Sequence, residues 1–166
     1  MSGGSAGSAT GAQARRLPDE AATQSLGAAI ARAWPRPLGG VIWLQGALGS
    51  GKTTLARAFL RALGVEGAVR SPTYTLVEPY ETVHGAVLHM DCYRLSSPDE
   101  LEFLGLRDSP PETTLWLIEW PERVARGLPA PDLHVVLSNA GTGRQAALRA
   151  PHTGTLDLIL HSLSHH

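Results

Sequence analysis

Apolar residues are nearly absent from the first stretch of the chain, MSGGSAGSATGAQA, which is rich in Gly, Ser and Ala. With so little to bury, residues 1–16 are expected to form a disordered tail. Helical spacing begins in LPDEAATQSLGAAIARAW, where Leu26, Ala29, Ile30 and Trp34 recur on one face. Asp19 and Glu20 fall in its first turn, where free backbone N–H groups favour negative charge, and Pro35 and Pro37 stop it. A helix is therefore predicted from about residue 18 to 34. GVIWLQG is a short apolar run between glycines, the pattern of a buried strand. KTTLARAFLRALG returns to helical spacing, with Leu55, Phe59, Leu60 and Leu63 on the buried face and Gly64 as the cap.

The pattern then changes period. TYTLVEPYE and AVLHMDCY read as strands joined by the short turn TVHG, so they are expected to pair antiparallel. SSPDELEFLGL carries a serine cap at Ser97 and Pro98 at the first helical position, which predicts a short helix. TTLWLIEW is another buried strand, and DLHVVLSNAGTGRQAALRA predicts a hairpin turning at NAGTG. TLDLILHSLSHH suits either a short helix or an edge strand. The sequence contains no internal repeat. Strands alternating with helices predict one α/β domain over 17–150, with 151–166 as an extension packed on it or trailing from it.

Composition narrows this picture in three ways. A chain of 166 residues with 14 basic and 15 acidic residues, net charge −1, lacks the basic footprint of an autonomous nucleic-acid binder. Cys92 is the sole cysteine, which excludes an internal disulfide and a multi-thiolate zinc cluster, and it reads as a buried small hydrophobe. The apolar runs fall far short of the roughly 20 residues that span a bilayer, and no secretory signal is evident, so a cytoplasmic protein without membrane contact is expected.

The chemistry concentrates around one residue. Lys52 is the single lysine among thirteen arginines, and it stands in GALGSGKTT, Gly46 to Thr54, which fits G-x-x-x-x-G-K-[ST]. In that pattern the glycines let backbone amides approach a phosphate closely at a helix N-terminus. The amides of Leu48, Gly49, Ser50, Gly51, Lys52, Thr53 and Thr54 are the expected nucleotide-binding groups. A compact ammonium fits inside such a ring of amides better than a planar guanidinium, which accounts for a lysine here and nowhere else. Thr53 offers a hydroxyl to Mg²⁺, and Thr54 can reach an inner phosphate.

A magnesium site also calls for a carboxylate at the end of a buried strand. AVLHMD delivers Asp91 and TTLWLIE delivers Glu119, so at least one is expected to hold the metal or orient an attacking water. Ser71 and Thr73 of RSPTYT are candidate sensors of a γ-phosphate, against the plainer reading of a proline-fixed start to a strand. His89 reads more readily as a satisfied core residue than as a catalyst. Guanine-reading proteins use Asn-Lys-x-Asp, which a chain with its one lysine at 52 cannot contain, so ATP is favoured. Two classes then remain. One is a small-molecule kinase with Arg123 and Arg126 of PERVARG as a lid. The other is an ATPase switch acting on a protein partner, favoured by the short chain without an acceptor-binding insertion.

The ordered set GALGSGKTT, SPTYTLVEPY, HMDCYRL, PDELEFLGLRD and IEWPERV, over roughly Leu17 to Arg149, resembles the TsaE family of bacterial ATPases required for tRNA threonylcarbamoyladenosine modification. The resemblance implies a three-layer α/β fold of the P-loop NTPase type with a mixed, mainly parallel central sheet, binding ATP and Mg²⁺. It implies Thr53 and Glu119 as metal ligands, Asp91 as the second acidic site residue, and Trp120 near the nucleotide. It further implies Glu20 or its neighbour near the adenine, and the SPTYT loop as a switch segment. Implied partners are the threonylcarbamoyl transferase and its inactive paralogue, with tRNA engaged through them. Ser50 departs from the family pattern, where alanine is usual.

Overall fold

The computed structural model describes residues 11–165. In chain order the elements are β1 (Gly11–Leu17), α1 (Glu20–Ala33), β2 (Val41–Gly46), α2 (Lys52–Ala62), β3 (Val77–Thr82), β4 (Gly85–Asp91), β5 (Thr114–Glu119), β6 (Leu133–Ala140), β7 (Gly143–Ala150) and α3 (Thr153–Ser164). Short 3-10 turns fill the connections after β4 and β5. The strands form a single sheet ordered β1-β7-β6-β2-β5-β4-β3. β6, β2, β5 and β4 pair in parallel, while β7 and β3 run against them at the flanks. β1, antiparallel to β7, points the same way as the centre. The sheet is thus mixed and mainly parallel, within a P-loop type of α/β fold.

The period-2 pattern of β2 and β5 separates two cores. Ile42, Leu44, Leu115 and Leu117 face the helices, packing against Leu26 and Ile30 of α1, Leu55 and Phe59 of α2, and Leu156 and Ile159 of α3. Val41, Trp116 and Ile118 face the other way, against Leu88, Met90, Cys92, Leu95, Leu101 and Val124. That second face is covered by 3-10 turns and loops, so the third layer is thin. Its main turn, Pro98–Leu104, begins with a capping box in which Ser97 and Glu100 satisfy each other's backbone N–H groups.

Caps fix the helix ends where the sequence places them. Asp19 accepts from the Ala22 N–H at 2.8 Å at the start of α1. At the end of α2, Gly64 and Val65 donate to the Arg61 and Leu60 carbonyls, a Schellman closure around a left-handed Gly64.

Two expectations need correction, and one left open is resolved. Residues 11–16, assigned to a disordered tail, form most of β1, an edge strand in register with β7 from Gly11↔Ala150 to Leu17↔Arg144. The ladder needs only backbone groups, so five exposed side chains in a row do not prevent it. The glycine at 11 leaves room for Leu156 and Thr153 of α3 to pass over the strand. The tail expectation for residues 1–10 lies outside the described residues. The strand expected from Thr73 starts at Val77, because Leu76 takes a left-handed φ of 68° and closes a turn onto the Pro72 carbonyl at 2.8 Å. The C-terminal segment, left open between strand and helix, is α3, held by the burial of Leu156 and Ile159. Among the described residues no helix is long and apolar enough to cross a membrane.

Candidate active site

β2 delivers its last residue, Gly46, to a loop that turns directly into α2. The helix has no side-chain cap: Gly51, at φ 103°, occupies the cap position, and the first amides of α2 face the loop. Those amides and the helix dipole create an anion-attracting end. Lys52 folds back over the loop, its Nζ donating to the carbonyls of Gly46 at 2.6 Å and Ala47 at 3.0 Å. The same ammonium lies 4.2 Å from the centre of the Trp120 ring. Burial pushes the Lys52 pKa below its ordinary value, opposed by the nearby charges of Glu119, Glu122 and Asp91.

Opposite the loop, parallel pairing of β4 and β5 sets Asp91 beside Glu119 at the C-terminal ends of the two strands. Glu119 is 2% exposed. Its Oε1 accepts from the Thr53 hydroxyl at 2.9 Å, and its Oε2 lies 2.7 Å from Nε2 of His89, which is fully buried. Asp91 accepts from the Tyr93 N–H at 2.9 Å. Burial raises the Asp91 carboxyl above its ordinary range, and that backbone bond acts against the rise. Next to it, burial drives the Cys92 thiol up to about 12, so Cys92 is an inert core residue, as read from the sequence.

Trp120 follows Glu119 in a left-handed conformation, φ 57°, which turns its ring back over Lys52 and against Tyr93, with centroids 4.8 Å apart. A cleft of about 310 Å³ opens between these groups. It is lined by Leu48, Gly49, Gly51, Lys52, Thr53 and Thr54 of the loop and α2, and by Thr73, Asp91, Glu119 and Trp120. Ser50 is buried beneath the loop and does not line the cleft. Ser71 stands behind Thr73, their hydroxyl oxygens 2.8 Å apart. Glu20 lies outside the cleft, in two neighbouring depressions, one of which includes Thr54 and the other Arg144. Arg123 lies over the Tyr93 and Trp120 rings, and neither it nor Arg126 is among the residues that line the cleft.

The family model described as "Threonylcarbamoyl adenosine biosynthesis protein TsaE" matches residues 17–146. The chain belongs to the TsaE family. It is 44% identical over 110 residues to the tRNA threonylcarbamoyladenosine biosynthesis protein TsaE of Haemophilus influenzae, covering 66% of this chain and 70% of that protein. It is 32% identical over 139 residues to the Bacillus subtilis protein of the same name, covering 84% and 86%. The crystal structure of Bacillus subtilis YdiB superposes with a TM-score of 0.75 at 26% identity, over 95% of this chain and 97% of that one.

Sequence reasoning missed three residues of this TsaE-family cleft, Tyr93, Arg94 and Arg144. Tyr93 and Arg94 lie inside the quoted HMDCYRL and could have been found from their nearness to Asp91. Arg144 carries no such signal. It is brought over by the β6–β7 hairpin, donates to the Gly49 carbonyl at 3.3 Å, and occupies the space that a Cβ on Gly51 would need.

Proposed function

We propose that this protein is a Mg²⁺-dependent ATPase serving the formation of threonylcarbamoyladenosine in tRNA, and that its nucleotide cycle resets the threonylcarbamoyl transferase and its inactive paralogue between rounds. The observation that carries this reading is the Thr53 to Glu119 bond at the N-terminus of α2, beside Lys52. Membership of the TsaE family supports the pathway.

The residues present fit the implied metal. A threonine hydroxyl and a carboxylate already lie within 2.9 Å of each other, with a second carboxylate on the adjacent strand, and all are the oxygen donors a hard cation takes. Thr53 and Glu119 would hold Mg²⁺, which when bound offsets charge on the outer phosphates. Every other part of the work belongs to the chain. Loop amides and the α2 terminus bind the triphosphate, and Lys52 exchanges its loop carbonyls for phosphate oxygens as charge builds on the leaving group. Asp91, whose burial favours proton uptake, orients the attacking water, and Trp120 with Tyr93 shields the reacting phosphate from bulk solvent. Ser71 and Thr73 sense the γ-phosphate from the far side. The transferase pair holds the tRNA, in keeping with this chain's near-neutral charge, and the assembly works in the cytoplasm.

Following the γ-phosphate of ATP with Mg²⁺ tests this, first with the protein alone and then with the transferase pair and tRNA. The expected result is free phosphate, released faster with the partners and coupled to repeated tRNA modification. Label on a small acceptor, indifferent to the partners, would instead establish a kinase.

A further inference from the structure

A glutamate that holds a metal must present one oxygen in a fixed direction, yet its side chain has several rotatable bonds and a broad terminal torsion. The Thr53 hydroxyl engages only Oε1 of Glu119 and leaves the plane of the carboxylate free to turn about that contact. The second oxygen is met from the neighbouring strand. His89 pairs across the β4–β5 ladder with Leu117, two residues before Glu119, and its Nε2 reaches Oε2 diagonally at 2.7 Å. A carboxylate oxygen accepts, so Nε2 carries the proton. Both side chains are closed off from water, and both backbones are fixed in the sheet, so no solvent competes for the bond.

The other ring nitrogen gives a second, independent sign. Among the described residues, His89 Nδ1 is buried and has no hydrogen-bond partner. Such an orphan is costly and rare, and an apolar side chain would fill this place without it. Packing alone therefore does not explain a histidine here, whereas the bond to Glu119 does.

We propose that His89 is a positioning residue for Glu119, holding the carboxylate plane so that Oε1 stays aligned with Thr53 for the metal. This inference rests on the Mg²⁺ and ATP reading of the site. The test compares the full-length chain with His89→Leu, which keeps bulk without a donor, and His89→Gln, whose amide nitrogen can reach the same oxygen. ATP binding is measured by calorimetry in EDTA and again across a Mg²⁺ titration, with thermal melting as the control for folding. His89→Leu is expected to raise the half-saturating Mg²⁺ concentration about 10-fold or more, with ATP affinity in EDTA unchanged and His89→Gln largely restored. Should His89→Leu not fold, His89→Asn, whose amide stops short of Glu119, replaces it with the same expectation. An unchanged Mg²⁺ requirement overturns the inference, as do equal losses with and without Mg²⁺. A wild-type chain that binds no ATP with Mg²⁺ overturns the functional reading first, and this inference with it.

Discussion

Two walls of the site are held by different forces: on the sheet side Glu119 with its partners Thr53 and His89, and on the loop side the cleft-lining Tyr93 and Arg94 with their partners Arg123 and Tyr74. On the sheet side each contact is a short hydrogen bond to the buried Glu119, from the fully buried His89 and from the partly buried Thr53. On the loop side Tyr74 is 81% and Tyr93 42% exposed, and arginines lie over their rings: Arg94 at 4.7 Å from Tyr74, Arg123 at 5.0 Å from Tyr93. An exposed cation–π contact contributes about 0.5–1 kcal/mol, whereas stranding one member of a buried hydrogen-bonded pair costs about 1–3 kcal/mol. The sheet wall is therefore expected to be the more firmly held of the two, and the loop wall the easier to displace.

The sharpest challenge to that contrast is Lys52→Ala, which removes the only cation of the loop. ATP affinity is expected to fall at least about 100-fold by calorimetry, since a charge-assisted contact to phosphate is lost in a dry site. Retention of tight binding would mean that the amides alone carry the triphosphate.

Asp91→Asn separates function from stability on the sheet wall. Burial raises the Asp91 pKa, so the folded chain holds that proton more readily than the unfolded one. The stability this brings is complete below the ordinary value of 3.8 and is lost as pH rises through the folded value, so ionised Asp91 costs stability at neutral pH. Asp91→Asn is expected to slow hydrolysis about 10- to 100-fold while raising the melting temperature at pH 7. The melting difference should shrink toward acid pH, and a difference that grows there would refute the assignment.

The smallest effect belongs to the loop wall. Tyr74→Ala should change ATP affinity by about five-fold or less and leave the melting temperature unmoved, because its ring is 81% exposed and meets Arg94 at the surface. A large loss of melting temperature would show that this wall is not the easier to displace.

The loop around Lys52 could be read directly from the sequence because its chemistry is local: glycines, lysine and threonine act within nine consecutive residues. Asp91 and Glu119 were legible as polar ends of apolar strands. Their partnership required knowing that β4 and β5 are neighbours, and the contact of His89 with Glu119 depends on that same register. β1 left no trace in the hydrophobic pattern because it is held by backbone groups at an edge. Arg144 approaches the loop only because a distant hairpin turns beside it, and nothing near position 144 announces this. Helices were readable wherever a cap and an apolar stripe agreed, as in α1 and α2.

The central claim is that the sheet wall performs the chemistry through Glu119, and Glu119→Gln tests it most directly. Phosphate release from ATP with Mg²⁺ and ATP binding should be measured on the same sample. Hydrolysis reduced about 100-fold or more with binding kept in part is the predicted result. Hydrolysis at the wild-type rate would remove Glu119 from the reaction and contradict the account.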